Sequence, residues 1–144
     1  MPNSRNCRNV ALWGCLSLML LASCAKDHCH TSIGATNFYV EPNSATHAGL
    51  NNVGGYEFLT GGHRGVVVVR TAYDDFVAYD CTCHEDNTTK VDFASGWEGT
   101  ILECPVCHTR FNVYADGAPL DGGKTVCPLY EYGTTYDGYR LYVY

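Results

Sequence analysis

Two short cysteine-rich runs, Cys81-Thr82-Cys83-His84 and Cys104-Pro105-Val106-Cys107-His108, constrain this chain more than any other feature. Each offers two thiols and an imidazole within one tight loop, a spacing at which one loop can clasp one metal ion. Both follow strand-like segments directly: Val77-Ala78-Tyr79-Asp80 leads into the first and Ile101-Leu102-Glu103 into the second. Short loops fixed by rigid strands are what a metal site needs. Two such loops facing each other supply enough soft ligands for a zinc ion or an iron–sulfur cluster.

Strand signals dominate the rest of the chain from Phe38 onward. Gly65 to Arg70 is a continuous β-branched run, as expected of a strand buried on both faces, and Phe76 to Tyr79 returns antiparallel to it after Asp74-Asp75. Phe38-Tyr39-Val40, Tyr56 to Thr60, Lys90 to Phe93, Thr100 to Glu103, Phe111 to Tyr114, Tyr130 to Thr134 and Tyr139 to Tyr144 complete the set. Asp116-Gly117, Asp121-Gly122 and Asp137-Gly138 supply hairpin or loop chemistry between them. Only Ala45 to Val53 reads as a short helix. Strands this short and this regularly spaced predict an all-β fold, a small antiparallel sandwich or barrel, with the cysteine loops as a metal-binding subdomain. The eleven tyrosines suit core and edge packing there.

Residues 1–23 read as an export signal rather than as part of the fold. Arg5 and Arg8 form a positive n-region, and Val10 to Ala22 an apolar stretch too short for a comfortable transmembrane span. Leu21-Ala22-Ser23-Cys24 resembles a bacterial lipobox, which implies cleavage before Cys24, a lipid on its sulfur and a place in the cell envelope. Residues 24–37 are small and polar and read as a flexible tether, with His28-Cys29-His30 solvated inside it. Residues 38–144 form the β domain. Of nine cysteines, six then remain: Cys29, Cys81, Cys83, Cys104, Cys107 and Cys127. An even number in an exported domain ordinarily suggests disulfides, but four of these cluster in two loops and argue for metal. Cys29 and Cys127 stand outside the site, either paired as a staple or unpaired.

Charge excludes one class of partner. Without Arg5 and Arg8, seven basic residues face fifteen acidic ones, a net charge of −8, and no basic–aromatic patch exists. Nucleic acid is not an expected partner. Catalysis by the chain alone is not expected either. No nucleophile elbow is present, and His47 and His63 read as surface residues near turns.

The stretch from Val67 to Val143 resembles a Rieske domain, a family that reads C-x-H in a first loop and C-P-x-H-G-S-x-F in a second. Cys104-Pro105-Val106-Cys107-His108-Thr109-Arg110-Phe111 follows the second loop. Gly122-Gly123, Pro128-Leu129 and Asp137-Gly138-Tyr139-Arg140-Leu141-Tyr142-Val143 follow in the family's order. Aligned without gaps, Cys83 and Cys107 stand where the family has its two histidines, and the implied ligands are Cys81, Cys83, Cys104 and Cys107. With one residue inserted per loop, His84 and His108 become the imidazole ligands beside Cys81 and Cys104. Cys83 and Cys107 are then available for the inter-loop disulfide that several Rieske proteins possess. The ungapped register keeps Arg110 and Phe111 in place, and Thr109 stands where the family has a serine that hydrogen-bonds a bridging sulfide.

The resemblance implies a 2Fe–2S cluster and electron transfer to an unidentified redox partner protein, on a membrane reached through the lipid anchor. Two histidines would raise the cluster potential by several hundred millivolts over an all-cysteine centre. The family's glycine-proline cap is replaced by Gly122-Gly123, and the signal has no arginine pair of the kind that carries folded cluster proteins outward. A cluster-less domain of the same shape, with a structural zinc or a disulfide in the site and a binding role, is the alternative.

Overall fold

The run Val66-Val67-Val68-Val69 has side chains that alternate across a strand, and every one of them is fully buried. That is possible only if the strand lies in a middle layer. In the computed structural model, which describes Cys29 and residues 33–144, it does. The strands are β1 (Phe38–Val40), β2 (Tyr56–Leu59), β3 (Val66–Ala72), β4 (Asp75–Asp80), β5 (Asp92–Phe93) and β6 (Ile101–Glu103). They continue with β7 (Arg110–Asn112), β8 (Ala118–Pro119), β9 (Glu131–Tyr132), β10 (Thr134–Tyr136) and β11 (Leu141–Val143). Three antiparallel sheets result, in the orders β1-β11-β10, β2-β3-β4-β9 and β5-β6-β7-β8. The all-β antiparallel expectation is what the described residues show.

Two cores flank the middle sheet. Val66 and Val68 join Val40, Leu50, Phe76, Ala78, Tyr132, Leu141 and Val143 on one side. Val67 and Val69 join Tyr79, Leu102, Phe111, Val113 and the four loop cysteines on the other. Burying each of these valines is worth about 1.5–3 kcal/mol, so β3 anchors both layers. The second core is the one that positions the cysteines.

Two expected elements differ. The helix expected over Ala45 to Val53 is only a 3-10 turn, Ala48–Leu50. Arg70 explains the difference: its buried guanidinium donates to the carbonyls of Leu50 (3.1 Å) and Asn51 (3.2 Å) and to Asn43 Oδ1 (2.9 Å). Those carbonyls serve a distant cation instead of a helix ladder. The strand expected over Tyr130 to Thr134 divides at Gly133, so that β9 pairs with β4 while β10 pairs with β11. A Cβ on Gly133 would meet the Tyr144 ring at 2.5 Å, so the chain changes sheets at a residue with no side chain.

The export signal, the Cys24 anchor and most of the tether lie outside the described residues. Among the described residues, no helix is long and apolar enough to cross a membrane. Cys29 and Cys127, 98 positions apart, form a disulfide that staples the tether to the domain. Ile33 packs against the first core, and Gly34 O accepts from Tyr132 Oη at 3.2 Å. Removing the cross-link from so long a loop releases the unfolded chain, so Cys127→Ser should lower unfolding stability by about 2–4 kcal/mol. Urea unfolding with and without reductant measures it. An unchanged midpoint in both would mean the staple does not restrain the domain.

Candidate metal centre

The first cysteine loop leaves β4 and is held on both sides. Cys81 N–H donates to Gly65 O (2.9 Å), Val91 N–H donates to Cys81 O (2.9 Å), and Thr82 forms a bridge with Lys90. The second loop joins β6 to β7 and is closed at its base, where Cys104 N–H donates to Thr109 O (3.0 Å) and His108 N–H to Cys104 O (2.9 Å). This tight closure forces His108 into the left-handed region at φ +59°, a conformation ordinarily left to glycine. Its position is the one the family motif fills with glycine in the ungapped register.

All four loop cysteines are buried and free of disulfides. The sulfurs of Cys83, Cys104 and Cys107 lie within 4.8 Å of one another, and Cys83 Sγ and Cys107 Sγ are 3.5 Å apart. Cys81 belongs to the same core but not to this group of three. The two histidines of the loops are not in the group either. His84 is half-buried beside it. His108 has a side chain 73% exposed, and its Nδ1 lies 3.4 Å from Glu103 Oε1. Glu103 also receives Arg110 Nε at 2.7 Å across the β6–β7 pair, and that guanidinium holds its carboxyl below the usual range. His47 pairs with Glu57 at 3.1 Å, remote from the cysteines in the 3-10 turn region.

Burial pushes the Cys81 thiol up to about 12, against the pull of the Lys90 ammonium. It also pushes Cys83 up, against the N–H donors of Asp86 and Glu85. At Cys107 burial acts the same way, but hydrogen bonds with the Thr109 hydroxyl and N–H outweigh it and leave this thiol below its usual range. Cys107 therefore ionises before Cys81 and Cys83. Its contact with Thr109 Oγ1 is 3.2 Å, and Lys124 N–H donates to the same oxygen at 3.0 Å. Gly123 packs so closely there that a Cβ would meet Thr109 Cγ2 at 2.7 Å. The Gly122-Gly123 segment thus lies against the second loop.

A supporting residue that the sequence reading did not single out is Asp80, fully buried immediately before Cys81. Its carboxyl accepts from the N–H of His63 (2.7 Å), the N–H and hydroxyl of Thr82, and Tyr132 Oη (2.8 Å). Burial, then this hydrogen bond, push the Tyr132 phenol up, so it stays a donor. One carboxyl thereby ties the first loop to β9 and to the Gly61–Gly65 turn. The only sequence signal was an acid abutting a ligand candidate; Tyr132, 52 residues on, gave none.

No protein-family model matches the chain, and no curated protein matches it significantly. Among solved structures it is similar to the ferredoxin of carbazole 1,9a-dioxygenase from Nocardioides aromaticivorans IC177. That match has 25% identity and a TM-score of 0.44, and it covers 64% of this chain and 86% of that one.

The donor set fits a thiophilic metal. Three thiols converge in a dry core, a fourth lies in the same cluster, and among the described residues no other group of three metal-ligating side chains converges. Soft thiolates select zinc or iron–sulfur clusters over hard cations.

Proposed function

We propose that this chain is a Rieske-like 2Fe–2S electron-transfer lipoprotein with an all-cysteine centre: Cys81, Cys83, Cys104 and Cys107. The observation that carries the reading is the convergence of Cys83, Cys104 and Cys107 from two loops fixed at their bases. The exposed His108, paired with Glu103, argues against a histidine ligand in the second loop. A bound cluster supplies one-electron redox chemistry, and four thiolates set it at low potential. This chain's own residues exclude water through Val67, Leu102 and Phe111, and Thr109 places a hydroxyl against Cys107. The Cys24 lipid, the envelope location and a redox partner protein complete the proposal. The Cys29–Cys127 disulfide is in keeping with an oxidising compartment.

Anaerobic reconstitution with iron and sulfide, followed by absorption spectroscopy, tests this reading. Charge-transfer bands in the visible that bleach on reduction are expected. A colourless protein after reconstitution would reject the cluster.

One observation favours a second reading. Ligands of a single tetrahedral zinc lie about 3.8 Å apart, and three sulfurs within 4.8 Å of one another match one ion. The 3.5 Å Cys83–Cys107 contact is equally close for a disulfide. Either would leave a domain of this shape acting as a tethered binding module, without electron transfer.

A further inference from the structure

The Cys29–Cys127 disulfide decides which face of the domain a lipid anchor brings to the membrane. Cys24, the proposed lipid carrier, precedes Cys29 by five residues, a stretch that reaches at most about 18 Å when fully extended. Through the disulfide this leash ends on Cys127, in the segment that joins β8 to β9. Without it, the first described residue packed on a core is Ile33, nine residues from Cys24 and up to about 32 Å away. The cross-link thus shortens the leash by nearly half and fixes the point from which it leaves the domain.

The surface beside Cys127 is apolar. Val126, 89% exposed, and Leu120, 39% exposed, line an open groove of about 360 Å³ together with Pro119 and Gly122. Leu120 also borders a notch of about 110 Å³ walled by Ile101, Arg110 and Trp97, the last 56% exposed. The charges nearby offset one another. Asp121 and Lys124 have opposite signs within the one loop, and Arg110 is paired with Glu103 at 2.7 Å. The Glu98 carboxyl accepts from the Gly96 N–H at 3.0 Å. Lys124 N–H donates to Thr109 Oγ1 at 3.0 Å and so holds the groove loop against the second cysteine loop. The patch is presented on a fixed support.

We propose that this patch, built from Val126, Leu120 and Trp97, lies in the headgroup region of the bilayer that carries the anchor. The proposal rests on the lipoprotein reading of Cys24. A domain of this length is on the order of 30 Å across, so a leash of about 18 Å ending at Cys127 does not let the opposite layer turn to the membrane. Tryptophan settles at this depth because an apolar ring carries a polar N–H, and valine and leucine gain by leaving water. With the neighbouring charges offset, the contact follows apolar area rather than headgroup charge.

The test uses the mature, exported protein reconstituted into phosphatidylcholine vesicles, with Trp97 as the probe. Trp13 lies in the export signal, so Trp97 is the one tryptophan of the mature chain. Its emission should shift to the blue and be quenched about twofold by lipids brominated on their acyl chains. Val126→Asp, at a side chain that packs on little, should at least halve that quenching, and so should opening the leash with Cys29→Ser and Cys127→Ser together. Tyr139→Ser, between β10 and β11 on the opposite layer, should leave it unchanged. Unquenched Trp97 in protein shown by mass spectrometry to carry lipid on Cys24 would overturn the proposal alone. Quenching that neither Val126→Asp nor the open leash reduces would do the same. A bare Cys24 would overturn the anchor reading and the proposal with it.

Discussion

Cys83→Ser, Cys104→Ser and Cys107→Ser are each expected to lower bound metal to below about a tenth of the unsubstituted level, whereas His108→Ala leaves it intact. The argument is one of donors and geometry. Each of the three cysteines places its sulfur within 4.8 Å of the other two, and a hydroxyl is a poor replacement for a thiolate toward zinc or iron. His108 is held outward by its left-handed backbone and its contact with Glu103. Metal content after desalting, read beside the unfolding midpoint of each variant, separates a lost ligand from a lost fold. Retention of metal by Cys83→Ser together with its loss in His108→Ala would reverse the register and put imidazoles in the site.

Asp80→Ala should be the most damaging substitution outside the cysteines. It leaves the buried N–H and hydroxyl of Thr82 without their acceptor, frees the half-buried N–H of His63, and leaves Tyr132 Oη only Gly34 O. Each stranded buried donor costs about 1–3 kcal/mol, so the two on Thr82 alone give a total of about 2–6 kcal/mol before relaxation. Asp80→Asn retains one acceptor oxygen and should cost less. Urea midpoints at constant slope measure both. The loop bearing Cys81 and Cys83 should also loosen, and metal should then be lost faster to a chelator in Asp80→Ala than in Asp80→Asn. Equal stability of Asp80→Ala and the unsubstituted protein would show that the network is solvated rather than structural.

Much of this fold was legible because its strongest element is local in sequence. Four consecutive valines with no polar alternation can only be a strand covered on both faces, and β3 is one. The second cysteine loop was legible for the same reason, since the bonds of Cys104 with His108 and Thr109 close it on itself; the first is held from farther along the chain, by Gly65 and Val91. What was not legible depends on distant partners. The segment after Ala45 has helix-forming residues, but its carbonyls are claimed by Arg70 from the middle sheet. The strand after Tyr130 changes sheets at Gly133 because Tyr144, at the far end of the chain, occupies the space beside it. Asp80 reads as an ordinary acid ending a strand until Tyr132 and His63 are brought against it. Spacing placed the thiols in two loops; only the packing of Val67, Leu102 and Phe111 brings three sulfurs together and leaves His108 outside.

The central claim is that the two cysteine loops form a metal centre with the composition of an iron–sulfur cluster. Direct analysis of iron, acid-labile sulfide and zinc in the exported protein, isolated without oxygen, tests it most directly. The account predicts about two iron and two sulfide per chain, with the Cys83 and Cys107 thiols protected from alkylation. Metal-free protein with Cys83 joined to Cys107 in a disulfide would contradict it.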